Sequence, residues 1–190
     1  MSEVSPVTSA APGVRTVLVI GAGTMGHGIA QAAAVAGCRV RLHDVDSGRI
    51  AAGLAKVRES LDRLVAKGKL PAAERDAALA RLEAARGLVA AARDCDLAIE
   101  AVPEVLELKQ ATFRALDAAL PAGAILASNT SSLSIAKIAE AVSRPEAVVG
   151  MHFFNPVPLM PLVEIVRSGL TSDAPIAAVR ALAERMGKTT

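Results

Sequence analysis

The chain has 190 residues, with 21 Lys and Arg against 19 Asp and Glu and a formal net charge of +2. That length supports one ordinary domain with its own core, without help from disulfides or metals. The interspersed, nearly balanced charges exclude a dedicated nucleic-acid surface, where basic residues would cluster, and no apolar run is long enough to cross a bilayer. A soluble, cytoplasmic protein is expected. Hydrophobic residues make up 52% and aromatic residues only 2%, so Ala, Val, Leu and Ile must build the core. Cys38 and Cys95 form no CxxC pattern and stand beside no His pair. They read as small core residues in a reducing compartment, and no metal site is predicted.

Residues 1–14 are rich in Ser, Pro, Thr and Ala. They read as a disordered leader, without the charged start of a signal peptide or the Arg-rich face of a transit peptide. A single folded domain is expected over 15–190. The apolar run 16–20 ends at Gly21 and predicts a strand buried on both faces. A helix follows over 25–36, stopped by Gly37, then a strand over 39–43 ending at Asp44. Helices are predicted over about 46–67 and 72–80, broken by Gly68 and restarted at Pro71, a favoured first-turn residue. A short strand falls near 82–84. Segment 97–101 is another buried strand, closed by Pro103.

A helix over about 105–119 carries Leu106, Phe113, Leu116 and Leu120 at helical spacing. Then come a strand over 124–128, a short helix over 134–142 and a strand over 148–153. Residues 162–166 form one more strand. It follows Pro156, Pro158 and Pro161 too closely for a helical crossover, so it must join antiparallel. The last helix runs from Ser172, as N-cap, to Met186 and stops at Gly187. Alternating strands and helices imply an α/β domain with a doubly wound, mostly parallel sheet of Rossmann type.

Gly21-Ala22-Gly23-Thr24-Met25-Gly26 joins the first strand to the first helix. Gly21 permits the tight turn, Gly23 lets the backbone approach a pyrophosphate, and Gly26 lets helix and strand pack closely. Free amides where the helix opens, at Thr24 and Met25, favour an anion. A bare GxGxxG also occurs in ordinary turns. Here strand, motif and helix come in order, and Asp44 closes the second strand about twenty residues on. A dinucleotide is therefore predicted. The Asp44 carboxylate can accept hydrogen bonds from the adenosine ribose. A 2′-phosphate there would meet a like charge, at about 4 kcal/mol for roughly 4 Å and an effective dielectric near 20. Arg41 and Arg49 soften that penalty, so NAD is expected over NADP. His27 reads as solvent-facing, with no role.

Met151-His152-Phe153-Phe154-Asn155-Pro156 interrupts an apolar segment, and Glu164 follows it. A histidine can take a proton from an alcohol and return it near neutral pH. A carboxylate in reach would hold the ring in one tautomer and stabilise its charged form. The competing reading is a satisfied core histidine beside aromatics. If the pair is functional, two neighbouring strands must bring it together across the intervening residues.

Together, V-I-G-A-G-T-M-G-H-G-I-A-Q (19–31), I-E-A-V-P-E (99–104), A-S-N-T-S-S-L-S-I (127–135) and G-M-H-F-F-N-P-V-P-L-M-P-L-V-E-I-V (150–166) resemble the N-terminal domain of the L-3-hydroxyacyl-CoA dehydrogenases. The similarity covers about 15–190. It implies NAD-dependent, reversible oxidation of an L-3-hydroxyacyl-CoA, as in fatty-acid oxidation or butanoate metabolism. His152 would be the catalytic base and acid, Glu164 its orienting partner, and Ser131 a contact to both cofactor and substrate. Asn155 would lie next to the nicotinamide, Glu104 and Lys109 would contact the cofactor, and Ser60 and Lys67 would meet the CoA end of the substrate.

Each assignment has a plainer reading. Ser131 is a helix-capping serine, Asn155 a turn residue before Pro156, and Glu104 a first-turn helix acid. Lys109, Ser60 and Lys67 are solvated helical residues. The family completes its site with a C-terminal helical domain carrying most of a homodimer interface, and that domain would begin just after Thr190. Residues 81–93 depart from the family in being Ala-rich, without its polar Thr-Asp turn. Two other readings stay open: a dehydrogenase of a non-CoA 3-hydroxy acid, and a non-catalytic NAD-binding module that works with a separate helical domain.

Overall fold

The computed structural model describes residues 13–190. The expected leader therefore lies outside the described residues up to position 12. Val14, counted within it, is instead part of the core at 4% exposure. Its carbonyl accepts hydrogen bonds from Arg185 Nη1 (2.7 Å) and Cys38 Sγ, which ties it to the last helix and to the residue just before the second strand.

The strands are β1 (Thr16–Ile20), β2 (Arg39–His43), β3 (Leu82–Ala85), β4 (Leu97–Glu100), β5 (Ile125–Ser128), β6 (Val148–Phe153) and β7 (Val163–Val166). The helices are α1 (Thr24–Val35), α2 (Ser47–Ala66), α3 (Ala72–Ala80), α4 (Leu88–Ala92), α5 (Leu106–Asp117), α6 (Ile135–Ala139) and α7 (Asp173–Arg185), with a 3-10 turn at Pro145–Ala147. One seven-stranded sheet runs β3-β2-β1-β4-β5-β6-β7. Every pair is parallel except β6–β7. This is the expected doubly wound sheet, with the order reversing between β1 and β4.

Side chains of a strand alternate between faces, so β1 feeds two cores. Val17 and Val19 join Ile29, Leu42, Leu61, Phe153 and Leu182 on one side. Leu18 and Ile20 join Phe113, Leu116, Leu126 and Ile138 on the other. Alanine-rich α1 lies directly on the sheet because its small side chains allow close approach. Both cysteines are free and buried. Burial raises the pKa of each thiol, that of Cys95 to about 11, as the core reading expected.

Several local expectations change. The helix α4 forms in the Ala-rich stretch after Gly87, whose φ of 82° reverses the chain; five residues are too few for a periodic signal. Pro71 stands at the N-cap of α3 rather than in its first turn. Ser172 occupies the N-cap of α7, but its hydroxyl donates to Glu146 O (3.2 Å) instead of capping the helix.

The proline-rich segment between β6 and β7 is held from the far end of the chain. Lys188 Nζ donates to Val157 O (2.6 Å) and Met160 O (2.7 Å), and burial lowers its pKa. Thr189 N donates to Pro161 O and Thr189 O accepts from Val163 N. The loop leading out of β6 is thus a fixed wall.

Phe113 is fully buried, in a chain with only 3 Phe, no Tyr and no Trp. Phe113→Ala should lower unfolding free energy by about 3–5 kcal/mol, read from urea denaturation of both proteins.

Candidate active site

The glycine turn is built as its spacing predicts. Gly21 has φ +98, and a Cβ on Gly26 would lie 1.6 Å from Gly21 O, so neither position accepts a side chain without displacement. A Cβ on Gly23 would meet nothing within 4 Å. The space it leaves is open to a ligand rather than filled by protein, which is what close approach of a pyrophosphate needs. Asp44 is fixed beside this turn, accepting from Ala22 N (2.9 Å) and Asp46 N (3.2 Å). A cavity of about 490 Å³ runs along Gly23, Thr24 and Met25 to Asp44 and Arg49. Arg41 does not help there. Its guanidinium is bound to Asp94 and lies near Glu83, which leaves Arg49 as the nearby cation expected from the sequence.

A second cavity, of about 350 Å³, is lined by Glu104, Asn129, Ser131, His152 and Asn155 and shares Met25, Ala101 and Val102 with the first. The two form one groove. In it, His152 Nδ1 lies 2.8 Å from Glu164 Oε2. The antiparallel ladder sets the two residues directly opposite each other, where cross-strand Cβ atoms stand roughly 4.5–5.5 Å apart. His152 is 18% exposed and Glu164 52%, so water reaches the acid more easily than the ring. The Phe154 ring tilts against the imidazole at 4.6 Å between centroids. With Nδ1 taken by the carboxylate, Nε2 is the nitrogen free to exchange a proton.

Beneath the groove lies a charged cluster that the sequence reading missed in part. Glu100, fully buried at the end of β4, accepts from Lys109 Nζ (2.7 Å), Val102 N (2.7 Å) and Ser128 Oγ (2.6 Å). Lys109 is buried rather than solvated, and it is not among the residues lining the groove. It also reaches Glu104 Oε2 at 3.2 Å. A buried carboxylate on β4 requires a cation, and Lys109 is one helical turn into α5 where it can supply one.

Glu104 precedes α5 instead of opening its first turn. It accepts from the Thr130 hydroxyl, from Ser131 N (3.1 Å) and from Ser132 N (3.2 Å). Burial pushes its carboxyl pKa up, but the hydrogen bond from Thr130 and the nearby Lys109 outweigh that and hold it at about 2. Ser131 is therefore no helix cap; Ser134 caps α6, accepting from Lys137 N. Asn129 Oδ1 accepts from Phe153 N (2.8 Å) and ties β5 to β6 beside the histidine. An acid inside the apolar run I-E-A-V was the available sign of Glu100; Asn129 and Thr130 gave none.

A third cavity, of about 470 Å³, opens on the other side of α1. Ser60 and Lys67 line it from α2 and its C-cap, with Pro156 and Pro158 opposite. His27 lines it too, with Nδ1 2.7 Å from Gly23 O, so it is not simply turned to solvent. Among the described residues, no cluster of three or more His, Cys, Asp and Glu could hold a metal ion, and no helix is long and apolar enough to cross a membrane.

Residues 16–190 match the family model described as 3-hydroxyacyl-CoA dehydrogenase, NAD binding domain. The chain is 45% identical over 176 residues to a probable 3-hydroxybutyryl-CoA dehydrogenase of Bacillus subtilis, covering 93% of this chain and 61% of that protein. It is 40% identical over 176 residues to the fatty acid oxidation complex subunit alpha of Acinetobacter baylyi, covering 93% and 24%. Among solved structures, the (S)-3-hydroxybutyryl-CoA dehydrogenase of Ralstonia eutropha superposes with a TM-score of 0.89 at 46% identity, covering 92% of this chain and 62% of that one. The chain thus spans less than two thirds of the length of these dehydrogenases. NAD is the cofactor, the dinucleotide expected from the sequence. Matched from its first strand to its last residue, the chain belongs to the 3-hydroxyacyl-CoA dehydrogenase family, as its NAD-binding domain.

Proposed function

We propose that this domain carries the proton-transfer half of a reversible oxidation of L-3-hydroxyacyl-CoA to 3-oxoacyl-CoA. The observation that carries the reading is the His152–Glu164 pair, 2.8 Å apart, in a groove continuous with the glycine turn. Bound NAD supplies a hydride acceptor at its nicotinamide ring. In oxidation, neutral His152 takes the proton of the 3-hydroxyl through Nε2 while hydride leaves C3. In reduction, the imidazolium returns that proton to the 3-oxo oxygen. Glu164 keeps Nδ1 protonated and the ring aimed, and it stabilises the cation formed midway.

Ser131 would offer its hydroxyl to the substrate oxygen and the cofactor, Glu104 holds the turn that presents it, and Asn155 would hold the nicotinamide end of bound NAD. Thr24 and Met25 bring helix-terminal amides to the pyrophosphate. Lys109 acts through Glu104 rather than on the cofactor. Ser60 and Lys67 receive the nucleotide end of the acyl-CoA in the cleft behind α1, where a lysine can pair with phosphate. The whole enzyme is read as a cytoplasmic homodimer that pairs through a helical domain. The chain spans 61% of the B. subtilis relative, so turnover is tested in a chimera with the rest of that protein. Acetoacetyl-CoA and NADH should be consumed by the chain joined to the remaining part of that relative. If the joined protein binds NADH but consumes nothing, the dehydrogenase reading fails.

His152→Ala in that protein should lower kcat by about 10²–10⁴ and leave the Kd for NAD within error, measured by fluorescence titration of NADH. Comparable loss of cofactor binding would show that the ring serves the nucleotide. Asp44→Ala should weaken NAD binding and relax the preference over NADP; an intact preference would assign ribose reading elsewhere.

Glu104 has a folded-state pKa of about 2 against an ordinary 4.5, so its contribution to stability is complete above about 4.5 and is lost as pH falls towards 2. Glu104→Gln should therefore lower the urea midpoint at pH 7, and the gap to the unmutated protein should narrow at pH 3. Because the carboxylate is partly exposed, the effect should be modest.

A further inference from the structure

The buried face of α1 is Gly, Ala and Ile with a single exception, Gln31. Gln31 is 2% exposed, and its Oε1 is buried with no hydrogen-bond partner among the described residues. A carboxamide left unmet in a core destabilises the fold, and an apolar residue of the same size would not. Gln31 nevertheless lines the cavity of about 470 Å³ between α1, α2 and the proline loop. Its placement is set by rigid neighbours. One turn earlier, a Cβ on Gly28 would lie 2.9 Å from Val157 Cβ, so the loop that walls the cavity sits directly on the helix. Lys188 fixes the same loop from behind.

The chemistry of this cavity is graded. Leu64, Pro158 and Leu159 give apolar walls, Lys56 and Lys67 bring cations along α2, and Gln31 adds one uncharged amide. Glu59 is paired with Arg63 at 2.6 Å, which cancels one further cation. An anion would seek the lysines and the solvent. A buried amide oxygen wants a neutral N–H donor on an otherwise apolar chain. A half-turn about the last side-chain bond exchanges the oxygen and nitrogen of the carboxamide, so either end can be turned to a ligand.

We propose that Gln31 binds the pantetheine arm of the acyl-CoA, its carboxamide pairing with an amide of that arm while Lys56 and Lys67 face the phosphates. This rests on the acyl-CoA reading above and adds a residue and a contact to it. The arm is a run of methylenes interrupted by two secondary amides, and its apolar parts suit the leucine and proline walls.

Gln31→Met keeps the size of the side chain and removes the acceptor. The NAD-loaded chain and this variant would be titrated calorimetrically with acetoacetyl-CoA and with adenosine 3′,5′-bisphosphate, the nucleotide end without the amides. The variant should bind acetoacetyl-CoA about tenfold more weakly, bind the bisphosphate and NAD as before, and unfold at an equal or higher urea concentration. Equal affinity for acetoacetyl-CoA would mean that water alone meets Gln31, overturning the proposal while the acyl-CoA reading stands. Equal losses for both ligands, or a lower unfolding midpoint, would make Gln31 a structural residue and overturn it too. If the unaltered chain binds NAD but not acetoacetyl-CoA, the acyl-CoA reading falls and takes this proposal with it.

Discussion

The antiparallel register of β6 and β7 is the constraint on which the site depends. In a parallel sheet every strand runs toward the cofactor end, so a residue twelve positions beyond His152 would return there only by way of a long crossover. Reversing the last strand brings Glu164 opposite His152 within a short loop. The register has no slack. A slip of one residue would turn Glu164 to the other face of the sheet. Gly150 guards against it: paired with Val166, it leaves so little room that a Cβ would fall 2.7 Å from that side chain.

The groove floor shows a second kind of order. Glu100, Lys109 and Glu104 form a chain of charges that runs from full burial to partial exposure. Removing water from such groups is unfavourable, and their mutual attraction offsets this only when every donor and acceptor is met. Here Ser128, Val102 N and Thr130 complete the set. The outcome is geometric as much as energetic, because the turn carrying Ser131 is held by the same carboxylate that Lys109 anchors. Glu100 and Lys109 thus support the groove from beneath, and Glu104 carries that support to its lining.

Helix α1 separates two cavities. Thr24 and Met25 in its first turn line the cavity that reaches Asp44, while His27 and Gln31 line the cleft behind it. The loop after β6 supplies Asn155 to the groove on one side and Pro156, Pro158 and Leu159 to the cleft on the other. Lys188 and Thr189 fasten that loop from the end of the chain, so the wall between the regions depends on residues far from the chemistry in sequence.

Much of this was legible in the residues. Short apolar runs gave the strands, glycine spacing gave the turn into α1, and crowding of three prolines before 162–166 required the reversed strand. These are local features, set by backbone sterics and by hydrophobicity over a few residues. What the sequence could not decide was the company each side chain keeps. Lys109 reads as an ordinary surface lysine and is buried because Glu100, nine positions earlier, needs a cation. Arg41 reads as a neighbour of Asp44 and is drawn away by Asp94. Gln31 reads as one letter of a helix motif, and only the packing of α2 and the proline loop beside it leaves its amide oxygen without a partner among the described residues. Local pattern determined the elements and the cofactor turn; tertiary structure decided which charges and amides meet, because those partners come from segments that only folding brings together.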